Sequence, residues 1–314
     1  MQMTHTPRKP RALRKGSKVA VFAPSSPAEQ LDVTAGLAEI RRLGYEFVPV
    51  QLPGPEGFFA GSAASRVEAF LKAARHPDIA GLVALRGGYG SNYLLDTDLL
   101  AELREAKCVI GHSDLTSLQT YLWQKCGWVT FFGPMVAAGL NRGADDSHGY
   151  DEHSFLQAVG NTHSGWEIPL LGKSLVRGTA EGCLLGGCIT LLEATLGTPW
   201  EIDTAGSILV LEDRGVRPYQ VDRSLMHLKQ AGKLQSIRGV ILGEFPDSEP
   251  ALKGSPSVDD VCERILTPLK IPIVFGAAIG HTKRPMLTLP LGVEARLHSS
   301  ADGRLEIREP AVMP

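Results

Sequence analysis

The sequence predicts an α/β protein, with a doubly wound parallel sheet in the N-terminal part and a smaller C-terminal α/β domain ending in antiparallel strands. Two observations carry this expectation. In the first half, short apolar runs alternate with amphipathic stretches, the pattern of strands covered on both faces by helices. Several of those runs end in small or turn-forming residues: Ala-Pro-Ser-Ser-Pro (23–27), Arg-Gly-Gly-Tyr-Gly-Ser (86–91), Gly-His-Ser-Asp (111–114) and Phe-Gly-Pro-Met (132–135). Ligands of open α/β sheets bind at that edge, so these turns point to a site there.

Taken in order, Lys18–Ala23 reads as a strand and Ala28–Leu43 as a helix with Leu31, Leu37 and Ile40 on one side. Strand Phe47–Val50, helix Ser65–Arg75, strand Ile79–Leu85 and a helical stretch Asn92–Ala106 follow. A short strand through Val109 and Ile110 leads into a helix over Asp114–Trp123, and Trp128–Phe132 closes the series. From 141 to 166 periodicity fades into a linker with one short helix. Beyond it come a β-like run from Leu175 and a glycine-rich turn at 182–187, which feeds a helix stopped by Gly197 and Pro199. Strand Ile208–Leu211, helix Gln220–Ala231, strand Ile237–Leu242, helix Val258–Leu269 and strand Ile273–Phe275 complete the alternation. Met286–Leu297 and Leu305–Ile307 read as late antiparallel strands.

Composition bounds the function. A chain of 314 residues, 43% hydrophobic and 21% charged, holds one large or two ordinary globular domains, and two fits better. A formal net charge of −2 gives no reason to expect nucleic acid as a partner, and no apolar run has the length of a membrane span. Residues 1–17 carry Arg8, Lys9, Arg11, Arg14 and Lys15 without the apolar core of a secretory signal, and read as a flexible, solvated leader. The expected layout is therefore leader 1–17, N-terminal domain 18–140, linker 141–170 and C-terminal domain 171–314. Cys108, Cys126, Cys183, Cys188 and Cys262 form no C-x-x-C pair, which favours reduced thiols in a cytosol over a disulfide framework or a zinc site.

Ser113 lies where a buried strand turns into a helix, with Gly111 leaving room for the bend. Such a turn presents a hydroxyl beside the N–H groups of a helix start, as in a nucleophile elbow. An ordinary βα turn with a capping serine would read the same, and Leu115 stands where the usual elbow has a second small residue. Gly87-Gly-Tyr-Gly lacks the Gly-Lys-Ser/Thr ending of a phosphate loop, and a full G-x-G-x-x-G is missing as well. Glycines beside a nucleophile serve better to bring backbone N–H groups to an oxyanion. Of nine histidines, His112 adjoins Ser113 on a sharp turn and His227 lies within a helix, so both read as structural. His281 follows Gly280 at the end of an apolar strand and suits a general base. Glu212 and Asp213 end a strand, and either could orient that base, cap a helix or sit in solvent.

Together the motifs Arg-Gly-Gly-Tyr-Gly (86–90), Gly-His-Ser-Asp-Leu-Thr (111–116), Phe-Gly-Pro (132–134), Gly-Gly-Cys-Ile-Thr-Leu-Leu (186–192), Leu-Glu-Asp (211–213) and Gly-His (280–281) resemble the L,D-carboxypeptidase family of serine peptidases. With Gly-Thr-Pro (197–199), Tyr219, Asp222-Arg223 and Leu-Pro-Leu-Gly (289–292), the resemblance runs in order from Lys18 to Leu297. It implies a muramoyltetrapeptide carboxypeptidase of murein recycling with a triad of Ser113, Glu212 and His281. An oxyanion hole would form from the N–H of Asp114 and the Gly87-Gly88 loop. Arg86, the nearest suitable cation, would hold the substrate's free carboxylate, with Tyr89 beside it, or else form a structural ion pair under the Gly-Gly-Tyr-Gly loop. The resemblance further implies a cytoplasmic homodimer that uses no metal or other cofactor. Cys188 stands where the family commonly has asparagine. Two other readings compete. One is a related hydrolase that cleaves aminoacyl-nucleotide antibiotic conjugates and confers self-immunity, and the other is a non-catalytic ligand-binding protein.

Overall fold

The computed structural model describes residues 6–49, 54–96, 98–144 and 146–314 of the chain. Its first part runs β1 (Lys18–Phe22), α1 (Gln30–Arg42), β2 (Glu46–Val48), α2 (Ala63–Arg75), β3 (Ile79–Ala84), β4 (Cys108–Gly111), α3 (Thr116–Tyr121) and β5 (Thr130–Phe132). Then follow α4 (Glu152–Gly160), β6 (Trp166–Pro169), β7 (Lys173–Val176), β8 (Gly178–Cys188), α5 (Ile189–Ala194) and β9 (Ser207–Glu212). The last part is α6 (Pro218–Gln230), β10 (Gly239–Leu242), α7 (Val258–Leu266), β11 (Ile273–Phe275), β12 (Leu289–Leu291), β13 (Glu294–Ser299) and β14 (Arg304–Ile307).

Two sheets result. The first has the order β12-β5-β4-β3-β1-β2, parallel except for β12. Alternation along β1 shows why it is wound on both faces: Val19 and Val21 join one core, Ala20 and Phe22 another. Ile40 of α1 packs into the first of these and Phe70 of α2 into the second. The second sheet has the order β6-β14-β13-β8-β9-β10-β11-β7, with β8 to β11 parallel and the flanks antiparallel. One contiguous core takes Val21, Ile110 and Phe131 from the first sheet and Leu184, Ile208 and Ile241 from the second.

Several expectations change. The C-terminal sheet is the larger, with eight strands against six. Residues 6–17 do not behave as a solvated leader: Ala12 and Leu13 are buried, the Leu13 N–H donates to the Val159 carbonyl (2.8 Å), and the Ala12 N–H donates to the Met313 carbonyl (2.7 Å). Arg8, Arg11, Arg14 and Lys15 are exposed and Lys9 pairs with Glu309, while the two apolar residues close the core. The glycine-rich stretch 182–187 is the second half of β8, not a turn. A side chain at Gly186 would overlap the Val210 carbonyl and one at Gly187 would strike Thr116, so these glycines permit close packing instead of a bend. Asn92–Ala106 forms two short 3-10 turns, Ser91–Leu94 and Asp98–Glu102, rather than a helix. The expected strand Met286–Leu297 divides at Gly292, so that β12 completes the first sheet and β13 enters the second. Val50, the expected end of the second strand, lies outside the described residues.

Candidate active site

The parallel strands of both sheets deliver their carboxyl ends to one region. Ser113 follows β4, Glu212 is the last residue of β9, and His281 follows β11 through the loop 276–280. The Cys188 N–H at the end of β8 donates to Thr116 Oγ1 (3.0 Å), which ties the second sheet to the helix that Ser113 opens.

Ser113 has φ of +61°, a left-handed conformation that costs a non-glycine residue about 1–3 kcal/mol. The cost is sustained because the turn is held from several sides. Asp114 is buried and its carboxylate accepts from the Ser91 N–H (2.8 Å) and from the Ser25 hydroxyl, while its carbonyl accepts from the Ser91 hydroxyl. Burial pushes the Asp114 carboxyl above its ordinary value, and these hydrogen bonds work against that shift. Buried Arg66 donates to the carbonyls of Gly90 (2.8 Å), Gly61 (3.0 Å) and Pro24, joining the loops that follow β1 and β3. Residue types alone did not reveal this scaffold, because Ser25, Arg66 and Ser91 come from three separate segments.

Gly87 lies directly over the serine. A Cβ there would stand 3.1 Å from Ser113 Oγ and 3.6 Å from the Asp114 nitrogen, so only a bare backbone leaves room for a reacting carbonyl. Gly87→Ala is expected to lower turnover about a hundredfold, in the range of a lost oxyanion donor. Steady-state kinetics on a protein of unchanged melting temperature checks this.

Glu212 and His281 meet directly. Fully buried Glu212 accepts through one oxygen from both the backbone N–H and the ring Nδ1 of His281, each at 2.8 Å. Gly280, with φ of +56°, passes so close to the carboxyl that any side chain there would collide with it. Burial alone would lower the His281 pKa, but the charge of Glu212 and the hydrogen bond to it prevail, and the pKa lies above the ordinary histidine value. The same attraction overcomes burial at Glu212 and holds its carboxyl below the ordinary glutamate value. Asp213 points the other way, accepting from the Thr190 N–H (3.0 Å), the Thr190 hydroxyl (2.6 Å) and the Arg214 N–H (2.8 Å). Glu244 fixes the loop after His281, accepting from the Thr282 hydroxyl (2.8 Å) and the Lys283 N–H (2.7 Å) and pairing with Arg284.

His112 is buried with its ring centroid 5.3 Å from that of His281 and edge to face with it. Burial first, then the neighbouring His281, pushes its pKa down to about 4, so its ring is neutral and Nδ1–H donates to the Gly133 carbonyl (2.9 Å). Ser113 thus sits one residue from a ring that touches His281, although the structure holds no hydrogen bond from Ser113 Oγ to His281. Arg86 is exposed and donates to the Pro27 carbonyl (3.2 Å). Tyr89 is also exposed, in an aromatic cluster with Phe59 and Tyr93. Gly88 follows Gly87 against Ser26. Among the described residues no group of three or more His, Cys, Asp or Glu is placed to hold a metal ion.

Comparison with known proteins bears on this arrangement. A family model described as the LD-carboxypeptidase N-terminal domain matches residues 19–133, and one for the LD-carboxypeptidase C-terminal domain matches 181–297. The chain is 34% identical over 298 residues to a probable murein peptide carboxypeptidase of Bacillus subtilis (strain 168), covering 93% of this chain and 92% of the relative. The crystal structure of a muramoyltetrapeptide carboxypeptidase from Oxalobacter formigenes superposes with a TM-score of 0.82 at 32% identity, covering 93% of this chain and 99% of the other. The microcin C7 self-immunity protein MccF of Escherichia coli is 28% identical over 321 residues, with 90% of each chain covered.

Proposed function

Because the chain belongs to the LD-carboxypeptidase family, we propose that it is a serine peptidase that removes the terminal D-alanine of murein tetrapeptides through an acyl-enzyme. The observation that carries this reading is the hydrogen bond of buried Glu212 to the half-buried His281, set at the same sheet edge as a strained serine under a glycine loop. In the proposed reaction His281 takes the Ser113 proton as Oγ bonds to the scissile carbonyl carbon. The resulting oxyanion is held by backbone N–H groups at Asp114 and Gly88. Glu212 keeps the ring in place and stabilises its charged form. The C–N bond then breaks, and the proton passes from His281 to the departing amine. A water molecule, deprotonated by the same imidazole, releases the acyl group and restores Ser113.

Relatives named as murein peptide carboxypeptidases support the substrate, and the proposal extends to a homodimer working in the cytoplasm in murein recycling. No helix among the described residues is long and apolar enough to cross a membrane. Similarity to the self-immunity protein favours one second reading, hydrolysis of an aminoacyl-nucleotide conjugate by the same residues. The purified protein, given a murein tetrapeptide and an aminoacyl-sulfamoyl nucleotide in parallel, is expected to release D-alanine and to leave the nucleotide intact. Cleavage of the nucleotide conjugate alone would assign the second reading.

A further inference from the structure

The proposed chemistry constrains where the departing residue must lie. Its amine takes a proton from His281 and so comes within about 3 Å of the ring. Its carboxylate is two bonds further on, which places it about 5–6 Å from the imidazole. A carboxypeptidase of this kind therefore needs a cation beside the base.

A cavity of about 610 Å³ opens there, with His281, His112 and Gly280 in its wall. It also lies against the loop after β5, which carries Arg142, and the loop after His281, which carries Lys283. Its two acids are already engaged: Asp32 accepts from the Asn141 side chain (2.7 Å), and Asp247 pairs with Arg214 (2.8 Å). Arg142 and Lys283 have no side-chain hydrogen bond or ion pair among the described residues, and with Arg214 they set three cations against the two acids, so the lining carries net positive charge. Topology separates this cavity from Arg86. Strand β4, which ends at the serine, lies between β3 and β5. Arg86 and the glycines of the oxyanion site follow β3, whereas Arg142 follows β5.

Resting on the function proposed above, we infer that this cavity is the leaving-group subsite and that Arg142 and Lys283 bind the free carboxylate of the departing residue. Arg86 then serves the loop it is bonded to. The subsite restricts cleavage to the last peptide bond, because an internal bond would present a neutral amide to the two cations. It also retains the product acid after the bond breaks.

The test compares a murein tetrapeptide with its C-terminal amide in the full-length protein, in Arg142→Ala/Lys283→Ala and in Arg86→Leu. The double variant is expected to lose roughly ten- to a hundredfold in kcat/KM on the free acid, the worth of a charge-assisted hydrogen bond, and little on the amide. Equal losses on both substrates, or loss of acid preference in Arg86→Leu alone, would overturn the assignment. A second measurement needs no turnover: calorimetric titration of the Ser113→Ala chain with D-alanine and with D-alaninamide. The acid is expected to bind more tightly than the amide, and the preference to vanish when Arg142 and Lys283 are also replaced. Equal binding of the two, or a preference that survives the replacements, contradicts the inference. Should the wild type cleave no murein peptide while this preference stands, the proposed function fails and the carboxylate subsite does not.

Discussion

Replacing Ser113 with alanine is expected to lower turnover of a murein tetrapeptide by about four to six decades, the loss that accompanies removal of a triad nucleophile. The fold should survive, because Ser113 Oγ has no hydrogen-bond partner among the described residues, so its removal breaks no hydrogen bond among them. Alanine inherits the same left-handed backbone, at φ of +61°, so the strain is not relieved either. The residual rate would come from the oxyanion donors and from binding, which the substitution leaves in place. Single-turnover kinetics beside a thermal melt separates the two effects. Retention of about a tenth of the activity at an unchanged melting temperature would remove Ser113 from the mechanism.

The next largest effect is expected at Glu212. Glu212→Gln keeps an oxygen to accept both N–H groups of His281 and removes only the charge, so a fall of up to about four decades in turnover measures what that charge does for the imidazolium. The pH profile adds a readout that a loss of stability would not give. Only neutral imidazole accepts the serine proton, so wild-type activity should rise with pH through an ionisation lying above the ordinary histidine value of about 6.5. Without the carboxylate the two largest influences that raise the His281 pKa are gone and burial prevails, so the rise should move to lower pH. Asp213→Asn is expected to cost far less, because Asp213 holds Thr190 and not the histidine. A greater loss in Asp213→Asn than in Glu212→Gln would reassign the acid.

What could be read from the sequence divides along a physical line. The Ser113 turn was legible because strand, small residue and helix are contiguous, and short continuous apolar runs exposed β1, β3 and β9 for the same reason. That Glu212 and Asp213 face opposite ways follows from the pleat. The pairing of Glu212 with His281 spans 69 residues, and the family resemblance supplied it where local pattern could not. Non-local packing produced the misreadings. Gly186 and Gly187 look like a turn until Val210 and Thr116 are seen against them. Ala12 and Leu13 are too few to stand out among basic neighbours, yet they close a core. β12 pairs with β5 across the whole second half of the chain, which no local window contains. Nothing local marks Arg66, within the expected helix Ser65–Arg75, as buried, and three backbone carbonyls from separate segments receive it.

The central claim is that Ser113 is the nucleophile and that His281 activates it. Peptide mapping after reaction with a fluorophosphonate probe tests this most directly, since the probe bonds only to an activated serine. A single adduct on Ser113 is expected in the wild type, slowed by orders of magnitude in His281→Ala and competed away by the tetrapeptide. An adduct on another serine, or release of D-alanine by a protein that takes no label, would contradict the account.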